Sequence, residues 1–299
     1  MTGGAHRNEA PSGVVVVDKP AGWTSHDVAA RMRRLAGTRR VGHAGTLDPM
    51  ATGVLVLGLG KATRLLGHLA LAEKEYVGTV RLGVSTRTDD AEGEVTANVD
   101  TDHVTDKAVQ AATGRLVGDL QQVPPAVSAV KVEGRRAYRR VRAGEQVELA
   151  ARAVQVSAFD VTEVRRTGGC VDVDVSVSCS SGTYVRALAR DLGAALGVGG
   201  HLSMLRRTRV GGFDLPQART LDQLERELTV VPLTTVACRS FPTFVASERQ
   251  AAWVSDGRVL PDTDLGALGP VAVVTSSGGD FLALYEQRGA DARAVAVFV

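Results

Sequence analysis

The 299-residue sequence contains few of the features that would place it in a membrane, a secreted or a metal-dependent class. It has three widely spaced cysteines and neither a CxxC pair nor an HExxH segment, so no disulfide framework and no zinc site is indicated. No apolar run approaches the roughly 18 residues of a membrane span. The start, MTGGAHRNEAPSG, lacks the apolar stretch of a signal peptide. We therefore expect no membrane segment, a reducing cytoplasmic setting, and a disordered tail over residues 1–12.

Nucleotide-binding motifs are also missing. The segment GLGKAT resembles a phosphate-binding loop, but Leu55 stands where that loop needs its first glycine. The dinucleotide pattern GxGxxG fails as well, because its last position is Thr63. The sequence predicts no cofactor and no metal.

Arginine is present in clusters, although the formal net charge is only +2. Residues 31–40 contain five arginines and no acid, and residues 115–142 contain seven cations against two acids. A third group is Arg206, Arg207 and Arg209. Any one group fits a solvated helix face, but three together favour a phosphate-rich partner.

The order of predicted elements favours the α+β class, because strands and helices mix without βαβ regularity. VVVVD (residues 14–18) predicts a strand, and the helix after it has Thr24 or Ser25 as its cap. Residues 53–60 and 74–84 read as further strands. CVDVDVSVSC alternates like a half-exposed strand and leads into a helix from about residue 185. Residues 121–145 are expected to end in a basic helix, and three short strands are expected after a boundary near Phe241.

One carboxylate has an unusual setting, in the stretch VGHAGTLDPMATGVL. Pro49 biases Asp48 toward an extended backbone, and the nearby glycines permit close approach of a ligand. Such a loop can place a carboxylate in a partly apolar cleft as a nucleophile or general base. A turn-forming Asp-Pro explains the motif equally well.

Two tyrosines and an arginine are further candidates. Tyr76 lies in a predicted strand, where ordinary packing also explains it. Tyr184 and Arg186 lie where a polar loop meets a helix. A cation is disfavoured at a helix N-terminus, so Arg186 is expected to have a distant acidic partner.

Six motifs in order resemble the TruB-type tRNA pseudouridine synthases, which isomerise uridine 55 in the T-loop of tRNA. They are DKPAGWTSHD, VGHAGTLDPMATGVL, KEYVGTVRLG, QVPPAVSAVKVEGRRAY, GTYVRALARDLG and LRRTRVGGF. Two departures affect the loop contacts rather than the activity. Ala44 replaces a frequent threonine, and STRTDDAEG lacks the usual aspartate after its first threonine.

The resemblance implies a role for each matching residue. Asp48 is the nucleophile, Arg186 holds its carboxylate, and Tyr76 stacks on the target base and acts as the base in proton transfer. Tyr184 and Leu205 wall the pocket, and His43 supports the flipped-out nucleotide. Lys19 and Pro20 support the catalytic loop from behind. Arg139 and Arg142, in the basic insertion, are expected to grip RNA.

The resemblance also implies an architecture and a partner. We expect a mixed, largely antiparallel sheet flanked by helices over residues 13–240, with an RNA-clasping insertion at about 115–150. Residues 243–299 would form a small PUA-like RNA-binding β domain. The enzyme would act as a monomer on the T-stem-loop of tRNA and need no protein partner.

Three alternatives remain open at this point. A non-catalytic tRNA-binding or folding protein explains the arginines but leaves Asp48 without a task. A guide-RNA-dependent synthase is disfavoured by the short C-terminus without charged tails. A carboxylate-metal hydrolase would need a second acidic ligand near Asp48, which the sequence does not offer nearby.

Overall fold

The computed structural model describes residues 11–127, 131–132, 135–136, 149–276 and 279–299. The strands in these residues are β1 (Gly13–Lys19), β2 (Val41–His43), β3 (Thr52–Leu59), β4 (Lys74–Leu82), β5 (Val84–Thr86), β6 (Val95–Asn98), β7 (Gly118–Gln122), β8 (Lys131–Val132), β9 (Arg135–Arg136), β10 (Arg152–Thr167), β11 (Cys170–Cys179), β12 (Gly200–Val210), β13 (Phe213–Asp214), β14 (Val231–Pro232), β15 (Thr243–Ala246), β16 (Val271–Thr275), β17 (Phe281–Arg288) and β18 (Asp291–Val297). The helices are α1 (Ser25–Leu35), α2 (Leu66–Leu71), α3 (Asp106–Gly114), α4 (Val185–Ala195), α5 (Leu221–Arg226), α6 (Leu233–Ser240) and α7 (Glu248–Ser255), and short 3₁₀ segments are Gly60–Leu65 and Leu215–Gln217. None of the helices in the described ranges is long and apolar enough to span a membrane.

One large sheet organises most of the chain. Within the described residues it has ten strands, in the order β14-β1-β3-β12-β4-β11-β10-β7, with β2 beside β3 and β13 beside β12. Its strand pairs are antiparallel except β3 with β12, which run parallel. The predicted α+β class with a mixed, largely antiparallel sheet is confirmed.

Helices α1 and α4 cover one face of this sheet. Helix α1 begins at Ser25 because the Thr24 side chain accepts from the Asp27 backbone N–H and the Asp27 carboxylate accepts in return. Val28 and Met32 on α1 and Leu188 and Leu192 on α4 are fully buried in the same cluster. Burying each such side chain contributes about 1.5–3 kcal/mol, so the apolar faces fix where both helices lie.

The C-terminal segment covers part of the opposite face. It forms a four-stranded sheet in the order β15-β16-β17-β18. Three strands were expected here; the fourth, Thr243–Ala246, pairs parallel to β16 and was missed because it is short. Phe281, Leu284 and Phe298 pack in one cluster with Val54 and Phe213 of the large sheet. The C-terminal sheet therefore shares its core with the rest of the chain.

Two sequence expectations have different outcomes. On β11 the valines are buried as predicted, but Asp172 is only 8% exposed because Arg81 on β4 binds both its carboxylate oxygens, at 2.8 and 2.7 Å. The basic helix expected at the end of residues 121–145 lies outside the described residues, as do Arg139 and Arg142.

Candidate active site

Asp48 lies in the loop between β2 and β3, and this loop is fastened from behind. The Ser25 hydroxyl at the start of α1 accepts from the Leu47 backbone N–H (2.8 Å) and donates to the Leu47 carbonyl (3.1 Å). The Pro49 carbonyl accepts from the Gly22 backbone N–H at 2.9 Å and from Lys19 Nζ at 3.1 Å. The loop backbone is thus held by β1, the turn after it and α1.

Lys19 is a buried cation that serves backbone carbonyls. Its Nζ also donates to the carbonyls of Pro20 (2.9 Å) and Trp23 (2.6 Å), and the residue is 0% exposed. Burial lowers the pKa of Lys19 to about 8, although Asp48 and other nearby carboxylates oppose that effect. The supporting position expected for Lys19 matches these contacts.

Arg186 is the partner of Asp48, across 138 residues of sequence. Its Nε donates to Asp48 Oδ2 at 2.9 Å and its Nη2 to Asp48 Oδ1 at 3.1 Å, a bidentate pair. Further donors reach the carbonyls of Thr88 (2.8 Å) and Val127 (3.1 Å). Arg186 is 4% exposed whereas the Asp48 side chain is 34% exposed, so the arginine forms the floor and the carboxylate faces outward.

A second carboxylate lies on the other side of Arg186. Asp90 Oδ2 is 3.4 Å from Arg186 Nη1, and its side chain is 5% exposed. The expectation of no second acid near Asp48 is therefore wrong, because the turn between β5 and β6 brings Asp90 in. Arg186 contacts both carboxylates. The described residues contain no group of three His, Cys, Asp or Glu arranged to hold a metal ion.

A cavity of about 210 Å³ opens beside Asp48. Tyr76 on β4, Leu205 on β12 and Tyr184 line it together with Asp48 and Arg186, so five of the residues chosen from sequence meet here. It is smaller than the roughly 300–1,000 Å³ of drug-sized pockets, and so suits one planar base. Burial raises the pKa of Tyr76, despite the nearby Arg207 guanidinium, so the neutral phenol is the resident form at neutral pH.

His43 lies beside this group rather than among the lining residues. It ends β2, two positions before Gly45 in the cavity wall. Burial first, and then Arg207 and His26, lower its pKa and favour the neutral imidazole. Within the described part of the chain, its Nδ1 is buried without a hydrogen-bond partner.

The third arginine group, Arg206, Arg207 and Arg209, binds carboxylates and carbonyls of the chain itself. This corrects the expectation that the group binds a phosphate-rich partner. Arg206 pairs with Asp18 through two bonds of 3.0 and 2.8 Å, and Arg209 pairs with Glu75 at 2.6 Å. Arg207 is 1% exposed and donates to the carbonyls of Val54 (2.7 Å), Gly45 (3.1 Å) and Thr46 (3.4 Å). Sequence clustering could not separate these roles, because adjacent residues on a strand face opposite sides.

Two more residues at the site were missed. Lys74 lines the cavity, and burial lowers its pKa to about 8; its Nζ donates to the carbonyls of Ala70 and Ala72, both at 2.7 Å. The buried Gln122 amide holds the Tyr184 backbone, accepting from its N–H at 2.8 Å and donating to its carbonyl at 3.1 Å. The sequence did offer one signal for Lys74. It precedes Tyr76 by two residues on one strand, so the two side chains lie on the same face of the sheet.

Comparison with known families agrees with this geometry. Residues 33–185 match the model for the TruB family pseudouridylate synthase N-terminal domain, and residues 186–232 match that for the tRNA pseudouridylate synthase B C-terminal domain. The chain belongs to the TruB family of pseudouridylate synthases. The resemblance inferred from the six motifs is confirmed.

Individual relatives extend the match to nearly the whole chain. The tRNA pseudouridine synthase B of Thermobifida fusca is 60% identical over 291 residues, covering 96% of this chain and 98% of the relative. That of Streptomyces coelicolor is 55% identical, covering 98% and 99%. Among solved structures, a chain of an H/ACA RNP bound to a substrate RNA containing 2′-deoxyuridine has a TM-score of 0.72 at 26% identity, covering 96% of this chain and 85% of that chain.

Proposed function

We propose that this protein converts uridine 55 in the T-loop of tRNA to pseudouridine, with Asp48 as the nucleophile. The observation that carries the proposal is the bidentate Asp48–Arg186 pair at the mouth of a base-sized cavity. The names of relatives at 55–60% identity support tRNA as the substrate.

The chemistry needs little beyond a carboxylate and a pocket. The N1–C1′ bond breaks and a C5–C1′ bond forms; C5 loses a proton and N1 gains one, so there is no redox change and no net hydrolysis. Attack at C1′, attack at C6 and elimination to a glycal each use one carboxylate. Arg186 binds both oxygens of the Asp48 carboxylate and so fixes its direction at the cavity.

The target uridine has to leave its stack to reach this cavity. We assign Tyr76 to stacking on the flipped base, Tyr184 and Leu205 to the cavity wall, and His43 to the support of the nucleotide beside it. Burial raises the pKa of the Tyr76 hydroxyl, so the phenol holds its proton at neutral pH. A role as the base requires the phenol to lose that proton. Removing the hydroxyl therefore tests this role directly.

Two alternatives give different results in one experiment. A non-catalytic tRNA-folding protein binds tRNA without making pseudouridine. A guide-RNA-dependent enzyme needs added RNA and proteins, and the higher identity to tRNA pseudouridine synthase B than to the H/ACA RNP chain favours the stand-alone enzyme. Residues 243–299 as a PUA-like RNA-binding domain, and the monomeric state, are part of the same proposal.

The experiment incubates the purified chain with an unmodified tRNA transcript and maps pseudouridine by position. We expect modification at position 55 alone with the parent, none with Asp48→Asn, and tRNA affinity within a few fold in both. Asp102→Asn, which changes an exposed carboxylate elsewhere, is the matched control and should leave turnover unchanged. Substantial turnover by Asp48→Asn would remove Asp48 from the reaction, and no turnover by the parent would refute the proposed function.

A further inference from the structure

Gln122 holds the middle of one cavity wall from behind. Six consecutive residues, 181–186, line this wall, and Gln122 is not among the lining residues. The Gln122 Oε1 accepts from the Tyr184 backbone N–H at 2.8 Å, and the Gln122 Nε2 donates to the Tyr184 carbonyl at 3.1 Å. These two bonds hold the peptide planes on either side of Tyr184. Neither plane can rotate without breaking one of them.

The start of α4 depends on this contact. Helices α1, α5 and α7 begin at capping boxes, whereas α4 begins at Tyr184 without a side-chain cap in the described structure. The Tyr184 carbonyl also accepts the first backbone bond of α4, from the Leu188 N–H at 3.2 Å. Arg186, which pairs with Asp48, is the second residue of this helix. The Gln122 amide therefore binds the end of the helix that carries the partner of Asp48.

Gln122 is itself held in place, as a group that positions others has to be. It is the last residue of β7, where it pairs with Arg152 of β10, and it is 3% exposed. The carbonyl of the next residue, Val123, accepts from Arg190 Nη2 at 2.8 Å. Arg190 lies one helical turn beyond Arg186 on α4. Strand β7 and the first two turns of α4 are thus joined at more than one point.

A purely structural account assigns Gln122 to the pairing of two peptide groups. That account predicts lower stability when the amide is removed, and an unchanged rate for the protein that remains folded. The position of the contact argues for a larger role. Both peptide groups belong to a residue of the cavity wall, two positions before the arginine that fixes Asp48.

We infer that Gln122 is a positioning residue for the reaction at Asp48. Its amide sets the direction of the Tyr184 backbone and of the first turn of α4, and through that turn the direction of the Arg186 guanidinium. Gln122 acts through Tyr184 and Arg186 and lines no part of the cavity. The inference rests on the proposed function for the reaction that is measured.

Gln122→Glu tests the inference because the hydrogen bonding of a carboxyl group changes with pH. A neutral carboxylic acid offers an acceptor and a donor, as the amide does, whereas a carboxylate only accepts. The ionised form keeps the bond from the Tyr184 N–H and faces the Tyr184 carbonyl without a donor. Burial and this carbonyl disfavour the charge, and the nearby Arg190 is already paired with Asp89 at 3.1 Å. The pKa of the new glutamate should therefore lie above its usual value of about 4.3.

The measurement is single-turnover pseudouridine formation at saturating enzyme, from about pH 5.5 to 8, as the ratio of the variant rate to the parent rate. The ratio cancels the titration of groups that both proteins share, Lys19 included. We expect Gln122→Glu to be about tenfold slower than the parent at pH 8 and to recover as the pH falls, with tRNA affinity within a few fold throughout.

Two further variants complete the test. Gln122→Met has a similar length and makes neither bond, so it should lose at least as much rate, with a ratio that does not change with pH. Gln121→Glu is the matched control, because it makes the same chemical change at the exposed preceding residue of β7. Its ratio should stay near one at every pH.

Urea unfolding of each variant at each pH separates positioning from stability. A ratio for Gln122→Glu that is constant with pH would overturn the inference, and so would a folded Gln122→Met with the parent's rate. A loss of rate that only follows the unfolded fraction would overturn it as well. If Gln122→Met does not fold, the pH profile of Gln122→Glu decides alone.

The inference and the proposed function fail in different ways. If the parent makes no pseudouridine, the proposed function is wrong and the inference fails with it. If the parent makes pseudouridine and both variants at Gln122 match its rate, only the positioning role is lost, and Gln122 is left as a structural residue.

Discussion

The pairing of Arg186 with Asp48 gives the sharpest prediction, for the substitution Arg186→Lys. The arginine serves five acceptors: both oxygens of Asp48, Oδ2 of Asp90, and the carbonyls of Thr88 and Val127. A lysine keeps the charge but has three donors at one point instead of five in a plane. At least two of the five acceptors therefore lose their donor.

The size of the effect follows from which acceptors are lost. A hydrogen bond to a charged group contributes about 1.5–3 kcal/mol and a neutral one about 0.5–1.5 kcal/mol, so losing one of each lowers the stability by about 2–4.5 kcal/mol. If the lost bond is one of the two to Asp48, the carboxylate is no longer fixed in direction. A loss of about 2–3 kcal/mol in the transition state corresponds to a rate roughly 30- to 150-fold lower.

Two assays separate these effects. Urea unfolding measures stability, and single-turnover pseudouridine formation with enzyme in excess measures the chemical step without product release. Arg166→Lys is the control, because Arg166 pairs with Asp106 at the surface at 2.7 Å and such pairs contribute under about 1 kcal/mol. A single-turnover rate for Arg186→Lys within about threefold of the parent would show that the bidentate geometry is not needed.

Four further predictions test the surroundings of Asp48. Tyr76→Phe keeps the ring and removes the hydroxyl, so the single-turnover rate should fall far more than tRNA affinity; an unchanged rate would limit Tyr76 to stacking. Lys19 has a pKa of about 8 and donates to three carbonyls, whereas its neutral amine has only two donors. The single-turnover rate of pseudouridine formation should therefore fall as the pH rises through about 8. A flat rate profile from pH 7 to 9 would contradict this. Between pH 8 and pH 10.5, Lys19 is protonated in the unfolded chain but neutral in the folded one. The contribution of Lys19 to the free energy of unfolding should therefore rise with pH over this range, and urea unfolding at several pH values measures it. Gly53→Ala should lower the free energy of unfolding by about 2–5 kcal/mol, because φ is +98° and a Cβ would lie 2.1 Å from the Arg207 carbonyl oxygen. The control Gly22→Ala, with φ +80° and open space around the Cβ, should lower it by only about 1–2 kcal/mol. Equal losses would exclude the close contact as the cause.

The parts of the site that sequence predicted are those with local signals. The glycines and Pro49 around Asp48 indicated a special loop, and the misplaced cation at a helix start indicated a distant partner for Arg186. For the cap of α1 the sequence offered Thr24 or Ser25, and the structure has Thr24 in that position. Assignment of Tyr76, Tyr184 and Leu205 to one pocket came from the family resemblance, and the structure brings these residues to one cavity.

The parts that sequence did not predict depend on which strands become neighbours. Asp90 meets Arg186, and Gln122 meets Tyr184, across 96 and 62 residues, and no periodic pattern records such pairs. The arginines near residue 207 were misassigned for the same reason. Asp18 and Glu75, which neutralise Arg206 and Arg209, lie on β1 and β4, and their contact with β12 exists only in the folded sheet.

Two buried cations, Lys19 and Arg207, hold the loop that carries Asp48 in one conformation. Lys19 and Arg207 together donate to six backbone carbonyls, four of which belong to residues 45–54. A loop whose carbonyls are bound on the inner side has little freedom to rotate its peptide planes, so Asp48 is presented to the cavity in one direction. Burying two cations costs stability that apolar residues would not cost. Under the proposed function this cost has a use, because a pre-oriented carboxylate needs no reorganisation when the substrate enters.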